Sequence, residues 1–140
     1  MADRRFLRAI GFAGLLTGAT TLAVFFAGLD AEGIERARAD AFTTLVFAEI
    51  LKAFVFRNDR KTVFEVGLAS NAKLLVVAVA TGLLQVLAGF VPPFGNFLGM
   101  PETSLVRYAV LALVAASPVT VLEVLKLAGR WHPSGRKDRG

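Results

Sequence analysis

Glu49 and Lys52 stand three residues apart inside an apolar stretch, residues 41–56. At helical spacing the carboxylate and the ammonium share one face. If the stretch crosses a bilayer, the carboxylate must be paired, protonated or holding a cation, because a bare charge at mid-membrane costs about 2.5 to 3.5 kcal/mol. Two opposite charges about 4 Å apart attract by roughly 4 kcal/mol at an effective dielectric of 20, which offsets much of that cost. Three chemistries are therefore open to the pair: a structural ion pair, a cation ligand with a lysine that snorkels away, or a proton-titrating carboxylate.

The elements that position these residues follow from hydropathy. The chain of 140 residues is 55% hydrophobic with mean hydropathy +0.60, above the roughly 45 to 50% apolar content of soluble domains. The excess falls in four blocks. Residues 9–29 and 74–91 carry no charge, residues 41–56 carry only Glu49 and Lys52, and residues 104–127 are charged only near their ends by Arg107, Glu123 and Lys126. About 20 apolar residues span a hydrocarbon core as a helix. A membrane barrel is a poor alternative, since it needs segments of about ten residues that alternate apolar with polar. The expectation is an all-α integral membrane four-helix bundle, with helices at about 6–29, 38–57, 71–91 and 104–128 inside a domain of residues 1–130, and a polar basic tail at 131–140.

Basic residues set the orientation. They gather before the first helix (Arg4, Arg5, Arg8), between the second and third (Arg57, Arg60, Lys61, Lys73) and at the end (Lys126, Arg130, Arg136, Lys137, Arg139), and only Arg36, Arg38 and Arg107 lie on the other side. Both termini are accordingly expected in the cytoplasm. The net charge of +5 is explained by these flanks meeting anionic headgroups. It calls for no nucleic acid, because the charge is split among three flanks and lacks aromatic interleaving. The acidic residues Asp30, Glu32, Glu35 and Asp40 gather in the outer connection. The first apolar stretch is longer than a signal-peptide core and has no small-x-small cleavage site before a soluble domain, so it is expected to stay.

The inventory excludes most catalysis. Cysteine is absent, His132 is the sole histidine and lies in the tail, and no Gly-rich phosphate loop occurs; these residues complete neither a metal set nor a triad. Small and polar residues within the helices inform packing instead. Gly14 and Gly18, with Gly11 nearby, form a small-x-x-x-small face that suits close helix approach within the chain or in a dimer. Ala78, Gly82, Gln85 and Gly89 line one stripe of the third helix, and Gln85 is expected to face protein, with a hydrogen bond across helices as the simplest role. Pro92 and Pro93 end that helix and begin an outer turn with Gly95. Pro118 removes a backbone bond in the fourth helix, where Ser117 is a compensating donor, and Glu123 with Lys126 forms an interfacial ion pair or leaves a snorkelling lysine.

Three segments together carry a family resemblance: Ala41 Phe42 Thr43 Thr44 Leu45 Val46 Phe47 Ala48 Glu49; the stretch 71–93 ending in Val91 Pro92 Pro93; and Ser117 Pro118 Val119 followed by Leu122 Glu123 Val124 Leu125 Lys126. In order and spacing the chain resembles the C-terminal transmembrane region, the last four helices, of P-type cation-transporting ATPases of the calcium-pump type. The resemblance implies that Glu49 matches a glutamate contributing side-chain oxygen to a calcium site whose other ligands come from earlier helices. Calcium takes about six to eight oxygens, so Glu49 alone makes no site. The Asp-Lys-Thr-Gly-Thr phosphorylation motif is not among these residues, and they are not expected to act as an enzyme alone. Lys52 departs from the family, where a small polar residue such as Asn is usual.

The resemblance thus implies a scaffold for the ion-binding helices of a pump, with no cofactor of its own and calcium or another cation bound only in the complete pump. Its partners would be the lipid bilayer and the remaining pump helices, in a bacterial plasma membrane. The alternative is an autonomous small membrane protein, either an oligomeric proton-coupled exporter using Glu49 or a regulator docked on a pump; the basic start Met1 Ala2 Asp3 Arg4 Arg5 motivates it.

Overall fold

A computed structural model describes residues 4–56 and 71–130, with the side chains of residues 5, 6, 129 and 130 left aside. The expected cytoplasmic loop around Arg60, and the tail with His132, lie outside the described residues.

The described chain is all-helical. Its five helices are α1 (Arg4–Glu32), α2 (Ile34–Val55), α3 (Ala72–Phe90), α4 (Pro92–Leu98) and α5 (Leu105–Arg130). Three of these contain segments long and apolar enough to cross a membrane by length and composition: Leu7–Glu32, Ala72–Phe90 and Leu105–Ala128. The second helix begins four residues before the expected start, because Glu35, Arg36 and Arg38 continue the helix outward beyond the apolar run.

A single residue, Gly33, separates α1 from α2. Its φ of 90° belongs to the region that residues with a Cβ rarely enter. The resulting hairpin brings Gly28 against Ala37: a Cβ at Gly28 would lie 3.1 Å from the Ala37 Cα. Most of the α2 inner face is also small or hydroxylated: Ala37, Ala39, Ala41, Thr43, Thr44 and Ala48 are buried, together with Asp40 and Val55. Small side chains allow helices to approach closely where hydrocarbon outside gives no hydrophobic drive to associate.

The connection after α3 differs from the expected turn. Val91 adopts an extended conformation (φ −105°, ψ 102°), after which Pro92 and Pro93 start a seven-residue helix, α4, that ends at Gly99 with φ 65°. Proline at the first helical positions sacrifices only an N–H that has no intrahelical partner, so the two prolines stop one helix and open another. Asn71 caps α3 by accepting from the Leu74 N–H at 3.1 Å, and Ser104 accepts from the Arg107 N–H at 3.2 Å at the start of α5.

Pro118 lies within the continuous helix α5. The carbonyl that its missing N–H would have reached, four residues back, is that of Val114. The Ser117 hydroxyl donates to that carbonyl at 2.7 Å, the compensation anticipated from the sequence.

Helices α1, α2 and α5 pack together, while α3 is tied to α2 and α4 and buries only Gln85, Ala88 and Gly89 near its end. One core cluster joins Ala13, Val55 and Leu122; a second joins Ala39, Ala88 and Met100. Large apolar side chains point the other way: Leu15 and Leu113 are among many that are mostly exposed. A core rich in small residues, with many large apolar side chains outside, is the pattern of a bundle solvated by lipid.

Of the two uses open to the glycine face of α1, packing against another of the described helices is not seen. A Cβ at Gly11, Gly14 or Gly18 would meet nothing within 4 Å, and Gly82 of α3 is equally open. α1 instead turns Ala13 and Thr17 inward. Ala13 there packs in the cluster with Val55 and Leu122.

Candidate functional site

The Glu49–Lys52 pair forms on α2 as its i, i+3 spacing requires. The Lys52 Nζ lies 2.5 Å from a Glu49 Oε1, and the two side chains differ in environment: lysine is 12% exposed and glutamate 56% exposed. The lysine stem is thus packed in the bundle while the carboxylate stands on the outer surface. Leu45 and Phe42, one and two turns before Glu49, are also exposed. Together they give α2 an uncovered stripe with one carboxylate near its middle.

Among the described residues no group of three or more His, Cys, Asp or Glu side chains is placed to hold a metal. Chemically, the arrangement offers a cation at most the oxygens of one carboxylate that already holds an ammonium.

Gln85 faces protein, as expected. It is buried, its Nε2 donates to the Thr43 Oγ1 at 2.7 Å, and it approaches the Met100 sulfur at 3.9 Å. The Tyr108 hydroxyl donates to the Gln85 backbone carbonyl at 2.9 Å, and the Tyr108 ring meets Phe47 and Phe90. Gly89 makes this possible, since a Cβ there would lie 2.2 Å from the Tyr108 Oη. The Thr103 N–H donates to the Gly89 carbonyl at 3.0 Å. These contacts fasten α3 to α2 and α5 at one end and describe a structural role for Gln85.

An ion network at the same end was not anticipated. Arg107 of α5 donates through Nε to both Asp40 oxygens at 3.0 Å and through Nη2 to Asp40 Oδ2. The same guanidinium reaches both Glu32 oxygens at 2.8 and 3.1 Å. Arg36 adds an ion pair to Glu32 at 3.6 Å and a hydrogen bond to the Thr103 Oγ1 at 3.1 Å. Two bidentate contacts from one planar guanidinium fix three helix ends at once. The sequence signal was the placement of all four charges at helix ends flanking apolar runs, although Arg107 lies 67 residues from Asp40 and 75 from Glu32.

At the other end Lys126 lies 3.5 Å from Glu123. Its Nζ also donates to the Val55 carbonyl at 2.6 Å, so a lysine from α5 satisfies an end carbonyl of α2.

Residues 1–128 match the family model for the C-terminus of cation transporting ATPases. Calcium-transporting ATPase 1 of Bacillus cereus is 29% identical over 135 residues, covering 84% of this chain and 15% of the relative. Two mouse proteins, calcium-transporting ATPase type 2C members 1 and 2, are each 28% identical, covering 71% and 86% of this chain but only 11% and 13% of their own lengths. The chain therefore spans a small fraction of the relatives it matches. With an all-helical bundle whose outward residues suit lipid and a family match over nearly its whole length, the chain belongs to the family of cation-transporting ATPase C-terminal membrane regions.

Proposed function

We propose that these residues form the C-terminal membrane bundle of a calcium-transporting pump and serve as the wall against which its ion-binding helices pack. The bundle crosses the bilayer four times, with both termini in the cytoplasm, in the plasma membrane of a bacterium. α2 is the additional crossing. Its 22 residues reach about 33 Å at 1.5 Å per residue, matching a hydrocarbon core of about 30 Å, and its two internal charges neutralise each other. The distribution of Lys and Arg supports the orientation, and the Bacillus relative supports a bacterial membrane.

The observation that carries the reading is the exposed stripe of α2. Glu49 projects from the bundle surface between apolar neighbours, a position that favours another helix as its cover. The family resemblance supports an ion-binding helix as that cover, and the cargo suggested by the relatives' names is calcium.

The test is ATP-driven uptake of radiolabelled calcium into membrane vesicles from cells that make the pump. Deleting these residues should abolish uptake and restoring them should return it; uptake that persists after deletion would overturn the reading. Topology is accessible separately, because the chain contains no cysteine. A single cysteine replacing Glu102 should react with an impermeant thiol reagent from outside, and one replacing Lys137 only after permeabilisation.

A further inference from the structure

We infer that the Lys52 ammonium is a tethered cation that occupies the Glu49 carboxylate in place of a metal ion, so that α2 contributes no free carboxylate to ion coordination. This inference rests on the reading that α2 borders the ion-binding helices of a pump.

Three features of the structure lead to it. First, the ammonium sits 2.5 Å from the carboxylate and its stem is packed, whereas the carboxylate is the exposed member. The cation therefore approaches from the bundle side and the glutamate is anchored to it. Second, the snorkelling alternative requires the lysine to run toward the nearer end of α2. That end already holds a lysine: Lys126 from α5 donates to the Val55 carbonyl at 2.6 Å, and the carbonyl of Lys52 itself accepts from the Phe56 N–H at 2.9 Å. Third, lysine has three donors and no acceptor, so it cannot join a shell of oxygens around calcium. An ion bound to Glu49 would face a like charge within a few ångströms, in a setting where water screens little. The carboxylate at Asp40 cannot substitute, because both its oxygens are bonded to Arg107.

A tethered cation alters what the pump can carry. The ammonium satisfies the carboxylate whether or not cargo is present, so the site bordered by α2 keeps its charge balance without an exchangeable ion.

Solid-state magnetic resonance on the whole chain tests this directly. The chain is reconstituted in liposomes of phosphatidylethanolamine and phosphatidylglycerol, with isotope labels on glutamate carboxyl carbons and lysine side-chain nitrogens. Subtracting the Glu49→Gln spectrum isolates Glu49 and removes the Glu123–Lys126 background. The expected result is a strong carboxyl–ammonium coupling from direct contact that persists when millimolar calcium is added. No coupling, or coupling that collapses with calcium, overturns the inference. In Lys52→Gln, calcium should perturb the Glu49 carboxyl signal at a concentration at least about tenfold lower than in the parent chain, a difference of about 1.4 kcal/mol; equal sensitivity would overturn it. Lys52→Arg should behave like the parent, and these two chains decide the matter if Lys52→Gln fails to fold. A persistent pair in a chain that does not support calcium uptake would refute the pump reading alone. Uptake with no pair would refute only the tethered cation.

Discussion

Replacing Arg107 with Met should destabilise the bundle more than any other single change at a charged residue. Arg107 joins two carboxylates of unequal burial: the Asp40 side chain is 7% exposed and that of Glu32 44% exposed. The exposed Glu32 pair contributes little, because water screens it. The Asp40 pair is different, because removing one partner of a buried pair leaves a charge without compensation, at a cost of about 3 to 5 kcal/mol. Since Arg107 itself is 28% exposed, water enters on its side, and an estimate of about 2 to 4 kcal/mol follows from discounting the buried figure. Reversible unfolding by sodium dodecyl sulfate in mixed micelles, followed by circular dichroism, measures the change. Glu32→Gln should cost far less than Arg107→Met in the same assay. Arg107→Met combined with Asp40→Leu should be more stable than Arg107→Met alone, because the orphaned charge is gone. A cost below about 1 kcal/mol for Arg107→Met, or no recovery in the double variant, would refute the assignment of the stabilisation to Asp40.

The remaining expectations concern packing and can be read by the same unfolding assay. Gly89→Ala should cost about 1 to 3 kcal/mol, since the new Cβ would lie 2.2 Å from the Tyr108 Oη; the Tyr108→Phe background should relieve part of it. Gly14→Ala should be neutral or stabilising by up to about 1 kcal/mol, because nothing lies within 4 Å of its Cβ position, and a substantial loss would reveal a packing partner. Gln85→Leu should cost about 1 to 3 kcal/mol by leaving the buried Thr43 hydroxyl without its donor, and cysteine crosslinking between α2 and α3 should weaken with it. Ser117→Ala should cost about 0.5 to 1.5 kcal/mol through loss of the bond to the Val114 carbonyl, an effect absent if Pro118 is also replaced by Ala.

Helices α1, α3 and α5 were legible because each contains one long apolar run, and a run of that length has few ways to fold. Gln85 was legible for a related reason: a single amide in hydrocarbon must find a partner, although Thr43 as that partner could not be named from local spacing. Ser117 could be assigned because the vacancy that Pro118 creates lies within its own reach. The seven-residue α4 was missed because two prolines read equally as a stop and as a start, and the choice depends on the extended Val91 between two helices. The role of the α1 glycines stayed open in the sequence because a small face signals that close approach is possible without saying which helix takes it; in the bundle it is Ala13 and Thr17 that turn inward. The Arg107 network was invisible locally, since its members come from the ends of α1, α2 and α5 and meet only after the helices pack. Spacing alone placed Glu49 beside Lys52, while the unequal exposure that makes the lysine the anchored member depends on how α2 sits in the bundle.

The central claim is that this bundle works as part of a larger cation pump. It is tested most directly by purifying the chain in mild detergent from its native membranes with an antibody against the connection between α3 and α5, then identifying every polypeptide recovered. The account predicts peptides bearing an Asp-Lys-Thr-Gly-Thr phosphorylation motif in equimolar amount, on the same polypeptide or on one bound to it. Recovery of this bundle only as copies of itself, with cation flux in liposomes abolished by Glu49→Gln, would contradict it.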